Sequence, residues 1–288
     1  MDPRAALLGI LFALMWSSAF ASARIIVAEA PPLTSLSLRF LIAGALAVGI
    51  ARAMGQSWHL PRAQARAVIL FGLCQNALYL GLNFVALQRV EAGLAAIIAS
   101  SMPLMVAALG WALRGQRISM LGLGGLLAGL AGTALILGTR LQGGADLPGI
   151  VMCIGGALAL ATATLTLTSA APSGNLLMVV GLQMLVGAGA LGLVAFAAEP
   201  MSLSGSAPYL LAMAYQILIP GLAATLIWFW LVERLGAVRA ASFHFLNPFF
   251  GVAVGAALLD ERVTPLDLLG VAVAAAGILL VQISRMRA

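Results

Sequence analysis

Charge is what this chain lacks. Only 8% of its 288 residues are charged and 62% are hydrophobic, whereas a soluble domain carries about 25% charged residues. Such a chain cannot clothe a water-facing surface, so the bilayer is its expected solvent. Lysine is absent, and all 15 basic residues are arginine. They stand mostly between apolar runs and form no stripe, so the net charge of +6 does not mark a nucleic-acid partner. The two cysteines, Cys74 and Cys153, lie inside apolar runs and make no disulfide framework. Metal-ligand spacing, a phosphate-binding glycine loop, a dinucleotide fingerprint and an HExxH pair are all missing. Nothing in the sequence points to catalysis, a metal or a cofactor.

Carboxylates are missing where a cation carrier would need them. Glu91 and Glu233 stand at segment ends, and the core third of every apolar run is free of Asp and Glu. That argues against cation efflux through a membrane-embedded glutamate. Only Arg39 lies well inside a run. One arginine is poor provision for a sugar phosphate or a nucleotide sugar. The solute left by elimination is roughly neutral, with an apolar body and hydrogen-bonding ends, and a zwitterionic amino acid fits.

What is present is apolar length. A spanning helix needs about 20 mostly apolar residues, and ten segments qualify: 4–27, 33–53, 66–88, 91–114, 118–138, 147–169, 175–197, 207–232, 236–259 and 265–284. Pro31-Pro32, Pro148, Pro172 and Pro265 sit near segment ends, where proline is best tolerated. With both termini cytoplasmic, the inner side holds Arg4, Arg52, Arg62, Arg66, Arg114, Arg117, Arg234, Arg239, Arg285 and Arg287. The outer side holds only Arg24, Arg89, Arg140 and Arg262. This is the positive-inside bias.

The chain also repeats itself. Pro103 and Pro248 are 145 residues apart (248 − 103), and the same offset pairs Arg89 with Arg234, Gly110 with Gly255, Arg117 with Arg262, Gly125 with Gly270 and Gly132 with Gly277. Coincident Pro, Gly and Arg at one offset are hard to obtain by chance. The expectation is two five-helix repeats, 1–144 and 145–288. Because five is odd, the second enters the membrane inverted. The repeat also bears on the N-terminus. Residues 4–23 resemble a signal peptide ending in Ala21-Ser22-Ala23, but removing them would leave four helices facing five. They are expected to be a retained first helix.

Ten helices in two such halves resemble the drug/metabolite transporter superfamily, over the whole chain. The resemblance rests on Trp16-Ser17-Ser18, Arg39-Phe40 and the proline-centred helices that end in the turns Gly115-Gln116-Arg117 and Asp260-Glu261-Arg262. The first turn departs from the usual Gly-Glu pair. Within the superfamily the chain looks most like the YddG-type amino-acid exporters. The resemblance implies an all-α membrane protein of ten transmembrane helices. It also implies export of neutral or aromatic amino acids and related metabolites across a bacterial inner membrane by alternating access.

At 1.5 Å per residue, the middle of each segment marks the bilayer midplane. Trp16 and Ser17 fall there in the first segment, and Gln75, Asn76 and Tyr79 there or slightly outside it in the third. Asn76, Tyr79 and Asn83 follow helical spacing and share a face. Pro103 and Pro248 lie near the centres of the fourth and ninth segments and are the candidate hinges. Each removes the N–H that would bond the carbonyl of residue i−4, freeing those of Ala99 and His244. His244 and Asn247 share one face. An ionisable residue at this depth is a candidate for substrate or proton contact. The substrate-binding candidates are therefore Trp16, Ser17, Asn76, Tyr79, Asn83, Ala99, Met102, His244 and Asn247.

Plainer readings stand beside these. The prolines could simply kink their helices, patched by Ser100, Ser101 or Asn247. The amides could be interhelical glue. Arg39 could snorkel outward or meet a substrate carboxylate, and a structural role is expected for it. Thr162, Thr164, Thr166 and Thr168 share no face and are expected to bond backbone or neighbouring helices. Trp228 and Trp230 are expected in an interfacial belt. Gly122, Gly125, Gly129 and Gly132 form a small-residue face, for packing the halves together or for a dimer. Other solutes (a purine, a polyamine, an organic acid) and a channel-like facilitator remain the alternatives.

Overall fold

The computed structural model describes residues 3–115, 118–141, 146–167, 175–259 and 265–284. All regular structure among them is helical. In lipid every backbone polar group must be satisfied within the chain, and long apolar runs do this as helices. The elements are α1 (Pro3–Glu29), α2 (Pro32–Ala53), α3 (Arg62–Ala86), α4 (Ala92–Ala99), α5 (Met102–Arg114), α6 (Met120–Leu141), α7 (Leu147–Leu167), α8 (Leu176–Ala198), α9 (Ala207–Leu235), α10 (Ala237–Ala241), α11 (Asn247–Leu259) and α12 (Pro265–Ile283). The predicted turns at 116–117 and 260–262, and Thr168, lie outside the described residues.

Six helices are long and apolar enough to cross a membrane: α1, α2, α3, α7, α8 and α9. Shorter apolar stretches occur at Met102–Leu113, Met120–Gly132 and Leu268–Val281. The protein is thus a multi-pass membrane protein. Its outward faces carry large apolar side chains such as Leu7, Ile42, Leu70, Leu127, Val151 and Phe196, as a lipid-facing surface requires.

Two expected spans are broken. The segment 91–114 parts at Ser100–Ser101 into α4 and α5, and Ser101 Oγ donates to the Ile98 carbonyl at 2.7 Å. The segment 236–259 runs as α10, a tight 3₁₀ turn over Ser242–Leu246, and then α11. Pro103 and Pro248 each stand second in the helix that follows the break, where a missing N–H costs little. The break corrects one expectation. The His244 carbonyl is not free, because the Asn247 N–H bonds it. Tightening into a 3₁₀ turn is the usual way to reclaim such a carbonyl.

Two further irregularities carry wider, π-helical turns: Gly72–Leu80 in α3 and Ile217–Ala224 in α9. Pro220 lies inside the second. The two segments start 145 residues apart (217 − 72), the offset of the sequence repeat.

The helices also pair reciprocally. α2 packs along α8 and α6 along α12. α1 touches α9 and α11, while α7 touches α3 and α5. The glycine face serves the α6–α12 contact within one chain. A Cβ on Gly277 would lie 2.5 Å from the Gly129 nitrogen and 2.6 Å from the Gly125 carbonyl oxygen. Only glycine lets the two backbones approach so closely. Trp228 corrects the belt expectation. It is 1% exposed and stacks on Phe12 at 5.0 Å between ring centroids, so it belongs to the core.

Candidate functional site

A small internal cavity of about 30 Å³ lies among α1, α2, α3 and α9. A water needs at least about 10–15 Å³ measured this way, and a pocket for a drug-sized ligand has roughly 300–1,000 Å³. The described conformation therefore has room there for water but not for a solute. Trp16, Phe20, Phe40 and Phe84 give it apolar walls, and Arg39, Gln75, Asn76, Asn83 and Gln216 give it polar groups.

The π-turns shape this cavity from two sides. Gln75, Asn76 and Tyr79 all lie in the π-segment of α3, and Pro220 lies in that of α9. A wide turn shifts side-chain register, so residues that an ideal helix would spread can face one space. Pro220 also lacks the N–H that would bond the Gln216 carbonyl. The wide turn lets the Gly221 N–H reach that carbonyl, and Arg39 Nε donates to it as well, at 3.1 Å.

Neighbouring bonds fix the polar side chains. Trp16 Nε1 donates to the Tyr79 hydroxyl at 3.1 Å. Gln216 Nε2 donates to the Ala19 carbonyl at 2.6 Å and to Ser22 Oγ at 2.8 Å. Asn76 Nδ2 donates to the Gln183 carbonyl at 3.0 Å and to Gln183 Oε1. Asn83 Nδ2 turns back to its own helix and donates to the Tyr79 carbonyl at 2.8 Å. What remains is a set of acceptors. Gln75 Oε1, Asn83 Oδ1 and Gln216 Oε1 are buried without a partner, and all three residues line the cavity. Each such atom costs about 1–3 kcal/mol if nothing binds it.

Of the nine substrate-binding candidates, Trp16, Asn76, Tyr79 and Asn83 line this cavity. Ser17, His244 and Asn247 form a second cluster, outside its lining. Ser17 Oγ donates to the Asn247 carbonyl or Oδ1, each at 3.3 Å, and Asn247 Nδ2 donates to His244 Nδ1 at 2.8 Å. That leaves the ring proton on Nε2, an atom without a partner. Phe12, Trp16 and Trp228 stand edge-on around the imidazole with centroids 5.2, 5.7 and 5.2 Å away. Ala99 and Met102 are buried in the packing around the break in the fourth span. Gln183, Gln216, Pro220 and Thr225 were missed by the sequence reading. Pro220 and the lone amides Gln183 and Gln216, inside apolar runs, were the available signal.

Irregular backbone at membrane depth is tolerated where it is buried in protein or borders an internal cavity, and transport proteins build solute sites from such breaks. Spanning helices with such breaks around an internal cavity are the architecture expected of a membrane transporter. The EamA-like transporter family model matches residues 3–138 and 147–283, and the protein belongs to that family. The chain is 25% identical over 269 residues to the uncharacterized transporter YvbV of Bacillus subtilis, covering 91% of this chain and 86% of that one. It is 27% identical over 289 residues to the uncharacterized inner membrane transporter YedA of Escherichia coli K12, covering 97% and 91%. A solved crystal structure shares the fold, with a TM-score of 0.79, 22% identity and coverage of 97% of this chain and 96% of that one.

Proposed function

We propose that the protein exports neutral or aromatic amino acids and related small metabolites across a bacterial inner membrane, by alternating access through the α1–α2–α3–α9 cavity. The observation that carries this reading is the cavity's inventory. Three unpaired amide oxygens belong to Gln75, Asn83 and Gln216, which line a space walled by aromatic rings. Amide oxygens accept from an ammonium group, and the rings suit an apolar side chain.

The architecture supports a two-repeat mechanism. The double family match, the π-segments at one offset and the reciprocal helix pairings all fit two inverted five-helix halves. The halves would rock about the breaks before Pro103 and Pro248 and expose the cavity to one side at a time. The arginine distribution favours both termini in the cytoplasm.

Uptake by proteoliposomes of the purified protein tests the assignment, with labelled leucine, methionine, threonine and phenylalanine. Saturable uptake that unlabelled amino acid suppresses is expected. Absence of uptake for all four would overturn the amino-acid assignment. A parallel arm with an imposed pH gradient separates proton-coupled from passive flux.

A further inference from the structure

Among the described residues Arg39 is the one charged group on the cavity wall. It is 3% exposed, and no carboxylate pairs with it among the described residues. A buried cation without an anion is costly, and breaking a buried pair by removing one partner is strongly destabilising for the same reason. The Gln216 carbonyl takes only Nε, one of five N–H donors that a guanidinium carries. The guanidinium also lies over the Phe40 ring, 4.9 Å from Cζ to the centroid. Gly221 of α9 lies next to the fork: a Cβ there would stand 3.8 Å from Nη2 and only 2.7 Å from the Gln216 carbonyl oxygen.

We propose that Arg39 is the anion site of the cavity and binds the carboxylate of the transported solute through its two Nη groups. A guanidinium matches a planar carboxylate with two parallel hydrogen bonds. The inference rests on the reading of the cavity as a solute site and narrows the solute class to molecules bearing a carboxylate. It assigns the two ends of the solute separately. The carboxylate lies at Arg39, beside the π-turn of α9, and the ammonium faces the amide oxygens of Gln75, Asn83 and Gln216. Arg39 thereby joins solute to backbone, because its Nε bonds the Gln216 carbonyl at the start of the π-turn. A carboxylate on the fork supplies the counter-charge that the described residues of the cavity lack. Amines, amides and esters of the same body do not.

The test is a competition series on the wild-type protein in proteoliposomes. Labelled phenylalanine uptake is measured against phenylalanine, 3-phenylpropionate, phenethylamine and 3-phenylpropanamide. Thermal unfolding of the detergent-solubilised protein is measured with the same four compounds. The two carboxylates are expected to compete, and to raise the unfolding temperature, at concentrations at least tenfold below the amine and the amide. In Arg39→Gln this preference disappears, and in Arg39→Lys it shrinks but persists. Equal potency of acid and amide on the wild type would overturn the proposal, and that arm needs no variant to fold. If phenylalanine is not transported, the amino-acid reading fails. The anion site is then judged by unfolding alone: a rise with 3-phenylpropionate that Arg39→Gln abolishes supports it, and no rise in the wild type overturns it.

Discussion

Trp16 and Tyr79 both line the cavity, their rings 7° from parallel with centroids 6.2 Å apart, and the indole Nε1 donates to the phenol oxygen at 3.1 Å. One comes from α1 and the other from the π-turn of α3, so the bond ties the straight helix to the irregular one. Tyr79→Phe removes the acceptor and leaves a buried indole N–H unpaired, at about 1–3 kcal/mol. A lower unfolding temperature in detergent is expected, with little loss in a Trp16→Phe, Tyr79→Phe double variant beyond the Trp16→Phe single. Additive losses would show that the bond contributes nothing.

The α6–α12 seam depends on bare backbone. Gly277→Ala places a methyl 2.5 Å from the Gly129 nitrogen, and no flexible side chain is there to yield. Overpacking of this kind costs about 1–3 kcal/mol. Gly49, by contrast, faces open space, and Gly49→Ala in mid-helix is expected to be neutral or stabilising by about 0.5–1 kcal/mol. Thermal unfolding of the two variants side by side checks the contrast.

Glu199 acts as a remote N-cap. Its Oε1 accepts from the Leu33 N–H at 3.0 Å, and its Oε2 accepts from the Thr34 N–H at 2.8 Å and from Thr34 Oγ1 at 2.9 Å. Negative charge at a helix start also meets the positive end of the helix dipole. Glu199→Ala is expected to cost about 0.5–2 kcal/mol, read as a drop in unfolding temperature. Glu199→Gln should lose less, since one amide oxygen still accepts.

Pro220 lies inside the wide turn whose first carbonyl, that of Gln216, also accepts from Arg39. Pro220→Ala restores the missing N–H, so the turn can regularise and release Arg39 from its anchor. Under the proposed mechanism this lowers maximal uptake several-fold, because a conformational step slows. Initial-rate uptake across substrate concentrations measures it. An unchanged maximal rate would show that the π-turn is not part of the moving machinery.

Much of the fold was legible because composition fixes the solvent and run length fixes the helix. The breaks at Ser100–Ser101 and Ser242–Leu246 were foreshadowed by Pro103 and Pro248, since proline's missing N–H is a local, sequence-visible fact. The threonines behaved as expected where described: Thr162 and Thr164 donate to the Leu158 and Leu160 carbonyls of their own helix, at 3.0 and 2.8 Å. The π-turn of Gly72–Leu80 was not legible, for it contains no proline and its register shift is set by the packing of neighbours. For example, a Cβ on Gly72 would lie 2.5 Å from the Gln183 carbonyl. The site was half legible for the same reason. Trp16, Asn76, Tyr79 and Asn83 stand out as polar or aromatic groups at the right depth. The alignment of Arg39 and Gln216 around one carbonyl, 177 residues apart in the chain, exists only once α2 and α9 meet.

The most direct measurement of the central claim is counterflow. Proteoliposomes are loaded with unlabelled phenylalanine and diluted into a trace of labelled phenylalanine. A cavity open to one side at a time predicts transient accumulation of label above the outside concentration, because the unlabelled load competes with the label for exit. Label that only equilibrates, at a rate indifferent to the internal load, would contradict alternating access and indicate a channel.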